Sequence, residues 1–245
     1  MSSLGTVHSL YRHPVKSMMG EPCVEGGFSV DGMDGDREYA LLETETGLVI
    51  TGKRPPYQPL LIMRATWRQG VAWVESQDMC LPAHLHCTKR TLSEQLGRSV
   101  EFIRRNREST EPTHTIRTQL VLKPGFLTDS APVHLLTTTA LAHLEAIHGA
   151  PVSAQRFRPN IVLETLEGNA LEGDIKGLRL RVGEAVLELT KRTGRCAMPA
   201  LAQGGLPLDP TVTRLIKDQL NDKFGLYARV LHPGLIKLGA QATLL

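Results

Sequence analysis

The sequence predicts a β-rich α+β protein built from two consecutive parts, residues 1–110 and 111–245. Turn-forming glycine, aspartate and proline residues divide the first hundred residues into short segments with alternating apolar residues, a pattern typical of sandwich or barrel strands. Helical spacing of apolar residues is limited to short stretches near residues 91, 137 and 209, so helices are the minor element. The polar stretch at residues 108–115 is the predicted boundary between the two parts.

In the first part, a strand at residues 7–10 runs into a bend at Pro14, and Lys16 lies just beyond it. Two Asp-Gly turns precede Arg37 and a strand at 38–42, which pairs with 48–51 as a hairpin. A proline-rich connector at 55–59 leads to a second hairpin, at 60–67 and 71–74. Capping-box spacing predicts a short helix that starts at Thr91 and ends at Gly97.

The second part alternates strands and helices. A strand at 133–136 is followed by a helix that ends at Gly149, and then by a strand at 161–163. A hairpin of 178–182 and 185–189 turns at Gly183. Asp209 followed by proline predicts the start of a helix, and strands at 224–230 and after Gly239 close the chain.

Composition excludes several classes of function. The 245 residues are 41% hydrophobic and 22% charged, which suffices for an ordinary globular core. A net charge of +3 and only 4% aromatic residues argue against a nucleic-acid partner. The sequence has no apolar run of about 18 residues that could span a membrane, and its first residues are not expected to act as a secretory signal. The four cysteines show no CxxC spacing. We therefore expect a cytoplasmic protein.

Cys196 is the central candidate for chemistry. It follows the hairpin directly and has Lys191, Arg192 and Arg195 close by, and such cations lower the pKa of a thiol. Thr193 and Gly194 favour a loop, which would expose the sulfur. A buried cysteine that packs as a small apolar residue is the alternative interpretation of the same residues.

A second basic motif, Arg156-Phe-Arg158-Pro-Asn160, lies at a junction between loop and strand. Two guanidinium groups and an amide are suited to bind an anion and a heterocycle. Lys16, Arg37, Arg158 and Cys196 all fall at strand ends or turns, so together they suggest a basic pocket for a phosphorylated, thiophilic or metal-bearing ligand.

Five separated motifs resemble the MOSC superfamily, and within it the amidoxime-reducing components and their bacterial counterparts. The motifs are residues 11–17, 35–37, 157–161, 195–196 and 224–230. The resemblance covers nearly the whole chain. It implies a MOSC-type β-barrel preceded by a MOSC N-terminal β-barrel domain, with a few helices.

The resemblance also implies the site. Cys196 matches the cysteine that ligates molybdenum in a pyranopterin dithiolene, the molybdenum cofactor, and it would be both metal ligand and catalytic residue. The residues that match cofactor contacts are Lys16, Arg37, Asp129, Ser130, Arg158, Asn160 and Arg195. Two positions depart from the family: Pro199-Ala200 stands where relatives have Thr-Thr, and Gly239-Ala240 where Gly-Asp is usual.

The implied activity is a molybdenum-dependent reduction of N-hydroxylated or N-oxide compounds. Since the sequence shows neither a nucleotide-binding fingerprint nor cluster cysteines, electrons would come from a separate ferredoxin-, flavodoxin- or cytochrome b5-like protein with its reductase. Two alternatives stay open: a sulfur carrier or transferase with a persulfide on Cys196, and a non-catalytic carrier of the molybdenum cofactor.

Overall fold

The computed structural model describes residues 2–108, 113–114, 121–122, 131–165, 171 and 173–245. The strands in chain order are β1 (Ser2–Arg12), β2 (Glu21–Cys23), β3 (Glu25–Ser29), β4 (Gly32–Met33), β5 (Tyr39–Glu43), β6 (Leu48–Val49), β7 (Arg64–Arg68), β8 (Val71–Ser76), β9 (Met79–Pro82), β10 (Val100–Arg104), β11 (Thr113–His114), β12 (Val121–Leu122), β13 (Val133–Thr137), β14 (Ile161–Thr165), β15 (Arg179–Val182), β16 (Ala185–Gly194), β17 (Lys223–His232), β18 (Gly234–Lys237) and β19 (Gln241–Leu244).

The α-helices are α1 (His86–Leu96), α2 (Thr138–His148) and α3 (Pro210–Gln219). Short 3-10 helices lie at Pro55–Leu61, Ala154–Phe157 and Met198–Ala200. Among the described residues, no helix combines the length and the apolar character needed to cross a lipid bilayer.

A closed barrel organises the fold. Seven strands follow one another in the order β14, β13, β17, β16, β15, β19, β1, and β1 pairs back onto β14. The β1–β14 register joins Gly5 to Thr165 and Leu10 to Ile161. A Cβ at Gly5 would lie 1.8 Å from the Glu164 carbonyl oxygen, so this close approach of the two strands requires glycine. Closure leaves the barrel strands without free edges.

The barrel interior is a continuous apolar core. Its side chains alternate along the strands, so that Leu187 and Leu189 of β16 and Val133 and Leu135 of β13 point to the same interior. The outer face of β13 and β14 is covered by helices: Leu136 and Val162 pack with Leu144 of α2 and with residues of α3. β13, α2 and β14 form a parallel β–α–β unit.

The N-terminal part forms small sheets around a second core. The sheets are β10-β5-β6 and β7-β8-β9, and β3-β4 pairs with β18 from the far end of the chain. Tyr57, Leu60 and Leu92 lie at the centre of this core. The division of the chain at residue 110 stays a prediction; in the structure β1 lies in the barrel and β18 pairs with β3.

The predicted β-rich α+β class is confirmed, and so are most elements. The hairpins β5–β6, β7–β8 and β15–β16 form as the turns indicate, although residues 60–61, predicted as strand, end a 3-10 helix. Helix α2 ends at the predicted Gly149, and α3 has the predicted N-cap Asp209. The predicted start of α1 was wrong: the helix begins at His86, so Thr91 lies inside it. The capping-box pattern is defined by side chains at a fixed spacing. It could not locate the start of this helix, because the helix begins after Leu85 without a side-chain cap.

Candidate functional site

The segment after β1 is fixed by backbone hydrogen bonds to the N-terminal sheets. The His13 amide donates to Asp36 Oδ1 at 2.7 Å, and the Lys16 amide donates to the Tyr39 carbonyl at 2.8 Å. The buried His13 ring places Nε2 3.3 Å from the Pro159 carbonyl oxygen. Burial, followed by the charges of Arg158 and Arg37, holds the His13 pKa well below its usual value. Lys16 is thus carried to the junction between the two parts.

Arg37 occupies the second Asp-Gly turn with φ at 47°, a left-handed conformation that its backbone bonds stabilise. Its amide donates to the His13 carbonyl at 2.7 Å. Its side chain donates to the Asp36 carboxylate and, at 3.0 Å, to the Arg158 carbonyl oxygen. The turn predicted from Asp-Gly pairs therefore brings Arg37 onto the Arg158-Pro-Asn160 motif.

Arg158 and Asn160 bind backbone groups through their side chains. Arg158, also left-handed with φ at 55°, donates to the Met18 carbonyl oxygen. Asn160 Oδ1 accepts from the His134 amide at 3.1 Å, and its Nδ2 donates to the Tyr11 carbonyl at 3.4 Å. The side-chain amide of Asn160, which directly precedes β14, is therefore hydrogen-bonded to both β13 and β1. A direct contact of Asn160 with a cofactor stays a prediction.

Arg195 is held by three neutral acceptors. Nε donates to the Phe224 carbonyl at 2.7 Å, Nη1 to the Phe157 carbonyl at 3.4 Å, and Nη2 to His134 Nε2 at 2.7 Å. The guanidinium also lies over the Phe157 ring, 5.1 Å from its centroid. Desolvation by burial lowers the pKa of Arg195 to about 10, which leaves it charged at neutral pH.

His134 is the functional candidate that the sequence analysis missed. Its buried ring lies between Arg195 and the Arg158 carbonyl oxygen, 3.4 Å from Nδ1. Burial, followed by the positive charge of Arg195, keeps its pKa well below the usual value, so the ring is neutral. The signal in the sequence was a histidine inside an otherwise apolar strand, Val133–Thr137.

Cys196 lies two residues beyond the end of β16 at Gly194, and its thiol is free and half-buried. The strand extends through Thr193 and Gly194, which were predicted as a loop, because pairing with β17 continues to Lys223. Cys196 itself lies outside the strand, as expected.

Arg156 holds the loop beyond the cysteine. Its Nη1 and Nη2 donate to the carbonyl oxygens of Pro199 and Pro207 at 3.2 and 2.8 Å. Gln203 donates to the carbonyls of Arg156 and Met198. Arg156 was predicted to be part of an anion clamp. Both of its terminal guanidinium nitrogens instead donate to backbone oxygens of the Cys196 loop.

Hydrogen bonds thus connect the predicted residues into one network. They run from Arg37 to the Arg158 carbonyl, from that carbonyl to His134, and from His134 to Arg195, which precedes Cys196. Lys16 belongs to the segment bound at His13 and Met18. Asp129 and Ser130 lie outside the described residues.

A cavity of about 430 Å³ lies beside this network, between α2 and the ends of the barrel strands. Thr137, Thr165, Arg192 and Gly225 contribute to its wall. A Cβ on Gly225 would lie 2.6 Å from His134 Nε2 and 3.0 Å from Arg195 Nη2, so the cavity and the network meet at this glycine. Arg192 donates to the carbonyls of Leu171 and Gly173 at the same place.

Known proteins of similar sequence or structure exist. The chain is 26% identical to mitochondrial amidoxime-reducing component 1 of Xenopus laevis, over 98% of this chain and 82% of that protein. The crystal structure of the YUAD protein from Bacillus subtilis superposes with a TM-score of 0.51 and 12% identity, covering 97% of this chain and 93% of that one. YiiM from Geobacillus stearothermophilus has a TM-score of 0.38 and 20% identity, over 55% of this chain and 70% of that one.

Two family domains account for most of the sequence. A MOSC N-terminal β-barrel domain matches residues 4–111, which include Lys16 and Arg37. A MOSC domain matches residues 123–243, which include Arg158, Asn160, Arg195 and Cys196. The chain belongs to the MOSC family.

Proposed function

We propose that this protein binds a molybdenum–pyranopterin cofactor through Cys196 and reduces N-hydroxylated or N-oxide compounds. The observation that carries the proposal is the hydrogen-bonded network that joins Arg37, Arg158, His134 and Arg195 next to a half-buried thiol. The relative named for amidoxime reduction, which matches 98% of the chain, supports the choice of reaction.

The described residues fit such a group by their chemistry. A thiolate is a soft ligand, suited to a metal already bound by sulfur, and Cys196 is free to act as one. Lys16 and Arg37 would hold the pterin phosphate, since ammonium and guanidinium groups bind phosphate strongly. Arg158 and Asn160 shape the turn beneath them. Asp129 and Ser130, which precede β13 in the sequence, would contribute further contacts.

The cofactor, when bound, supplies the two-electron reduction chemistry, and the protein supplies binding, orientation and electrostatics. Arg195 is fixed at all three guanidinium nitrogens and keeps its charge beside the thiol. Arg156 and Gln203 fix the loop on the other side of Cys196. Pro199 and Ala200 offer no hydroxyl, so polar contacts to the substrate must come from other residues.

The proposed partners are a small N-hydroxylated substrate and a separate electron-transfer protein. This donor would be of the ferredoxin, flavodoxin or cytochrome b5 class, with its own reductase. A cytoplasmic location is part of the same proposal.

The molybdenum content of the purified protein tests this function. Wild type, Cys196→Ser and the control Cys80→Ser, whose thiol is exposed, are produced in a host that makes the cofactor and are analysed by elemental mass spectrometry. We expect near-stoichiometric molybdenum in wild type and Cys80→Ser, and depleted or altered metal in Cys196→Ser. Reductase assays with a chemically reduced viologen dye then follow on the loaded protein.

Two results would contradict the proposal. Molybdenum absent from all three proteins, together with a persulfide on Cys196, would indicate sulfur transfer. Molybdenum bound in full without reduction of any N-hydroxylated compound would indicate a cofactor carrier.

A further inference from the structure

We propose that His134 is a positioning residue, whose neutral ring fixes the Arg195 side chain and thereby the backbone that carries Cys196 relative to the Arg158 turn. The proposal builds on the proposed role of Cys196. The test measures the reactivity of the Cys196 thiol in the metal-free protein, so failure of this proposal can be distinguished from failure of the proposed function.

The ring can satisfy both neighbours in one tautomer. The Arg158 carbonyl oxygen 3.4 Å from Nδ1 is an acceptor, so Nδ1 must carry the proton. Nε2 is then an acceptor, and it faces Arg195 Nη2 at 2.7 Å, a group that can only donate. The tautomer is assigned from these partners, since a ring nitrogen shows its proton only through its hydrogen bonds.

The surroundings leave the ring little freedom. The Tyr227 ring packs against it with 5.5 Å between centroids, and Gly225 provides the space for Nε2, because a Cβ there would lie 2.6 Å away. Gly225 has φ at 91°, a conformation that disfavours replacement by another residue. The position of Nε2 is therefore set by β17 as well as by β13.

Arg195 transmits this position to the thiol loop. Its amide donates to the Asp222 carbonyl at 2.8 Å, and its side chain is held at Phe224, Phe157 and His134. The residue that precedes Cys196 is thus fixed through both main chain and side chain. Loss of the His134 acceptor would leave a guanidinium N–H of Arg195 without this partner, so local opening of the loop becomes easier.

Conservative variants separate this role from simple packing. The Oε1 of glutamine reaches about as far as Nε2 and can accept from Arg195, whereas asparagine reaches only to the Nδ1 position and leucine offers no acceptor. A histidine that only fills space would be replaced at least as well by leucine as by glutamine.

The experiment is alkylation of the metal-free, full-length protein with iodoacetamide, with the rate at each cysteine resolved by peptide mass spectrometry. Cys23, a half-buried thiol in β2 whose pKa is raised by burial, serves as the internal control. We expect His134→Leu and His134→Asn to react at Cys196 about threefold faster or more, because an opened loop exposes the thiol. His134→Gln stays close to wild type, and Cys23 is unchanged throughout.

The proposal is overturned if leucine and glutamine variants react alike, or if Cys23 accelerates in parallel, since that would report general loosening. If His134→Leu fails to fold, the pair His134→Asn and His134→Gln decides, because only glutamine places an acceptor at the Nε2 position. A Cys196 that reacts faster in His134→Asn than in His134→Gln supports the proposal, and equal rates refute it.

Discussion

The arginines of the two parts are held by different partners. In the N-terminal sheets they pair with buried carboxylates: Arg104 and Arg107 with Glu38, and Arg37 with Asp36. Around the thiol loop, Arg156 and Arg195 bind backbone carbonyls and a neutral histidine. The carboxylate pairs cancel charge, whereas neutral acceptors preserve it.

The pKa shifts follow the same division. Hydrogen bonding to Glu38 raises the pKa of Arg107, whereas burial without a carboxylate lowers that of Arg195 to about 10. A guanidinium kept charged by neutral partners attracts an anion more strongly than one already paired. The N-terminal arginines are thus neutralised by carboxylates, whereas Arg156 and Arg195 bind neutral groups on either side of Cys196.

The largest effect is expected from removing a carboxylate at the junction. Asp36 accepts from the His13 amide and from Arg37, so Asp36→Ala leaves a partly buried cation without its partner. We expect a loss of about 3–5 kcal/mol in the free energy of unfolding, measured with urea. Asp36→Asn retains an acceptor for the His13 amide and should lose less. An Asp36→Asn variant as stable as wild type would show that the ion pair adds nothing.

A smaller effect is expected where an arginine binds only carbonyls. Arg156→Lys cannot span Pro199 and Pro207 together, and we expect a loss of about 1–3 kcal/mol in urea unfolding. Because the partners are neutral, the loss should be the same at low and high salt. Arg214→Lys, at an exposed position of α3, is the matched control and should leave the free energy of unfolding unchanged. A loss that shrinks with salt would contradict the contrast between the two parts.

The smallest effects concern pH, and His134 and Glu43 should respond in different windows. The folded-state pKa of His134 is depressed below 6.5 by burial and Arg195, so the unfolded chain binds more protons and stability falls as pH drops below 6.5. The pKa of Glu43 is lowered from 4.5 by its hydrogen bond from Tyr57, so its contribution is lost only as pH falls below 4.5.

Urea midpoints between pH 8 and pH 3 test this order. His134→Gln should flatten the loss of stability that begins near pH 6.5, and Glu43→Gln should flatten only the part below pH 4.5. His13 is also buried and its pKa is lowered, so the stability of both variants should still depend on pH below 6.5. Parallel curves for wild type and His134→Gln above pH 4.5 would be the contrary result.

Much of the site was predictable because its residues follow turn signals. The Asp-Gly turns locate Arg37, and the end of the β15–β16 hairpin locates Cys196. The engagement of Arg156 and Asn160 with backbone groups was not predictable, because a side chain's partners lie in segments distant along the chain: Arg156 binds Pro199, 43 residues away, and Asn160 binds Tyr11, 149 residues away.

His134 shows the same limit. In the sequence it is one polar residue in an apolar strand, and nothing local distinguishes a packed histidine from one that bridges two loops. Its role depends on the absence of a side chain at Gly225 and on the approach of Arg195.

By itself, the sequence determined the seven barrel strands, the hairpin turns, the end of α2 at Gly149, the N-cap of α3, and the basic motifs that place the chain in its family. These depend on dihedral preferences and side-chain spacing, which act between near neighbours. The tertiary structure alone decided that β1 closes the barrel against β14 and that His134 joins Arg158 to Arg195. Such pairings depend on register and packing between segments more than a hundred residues apart for β1 and β14, and no local preference specifies them.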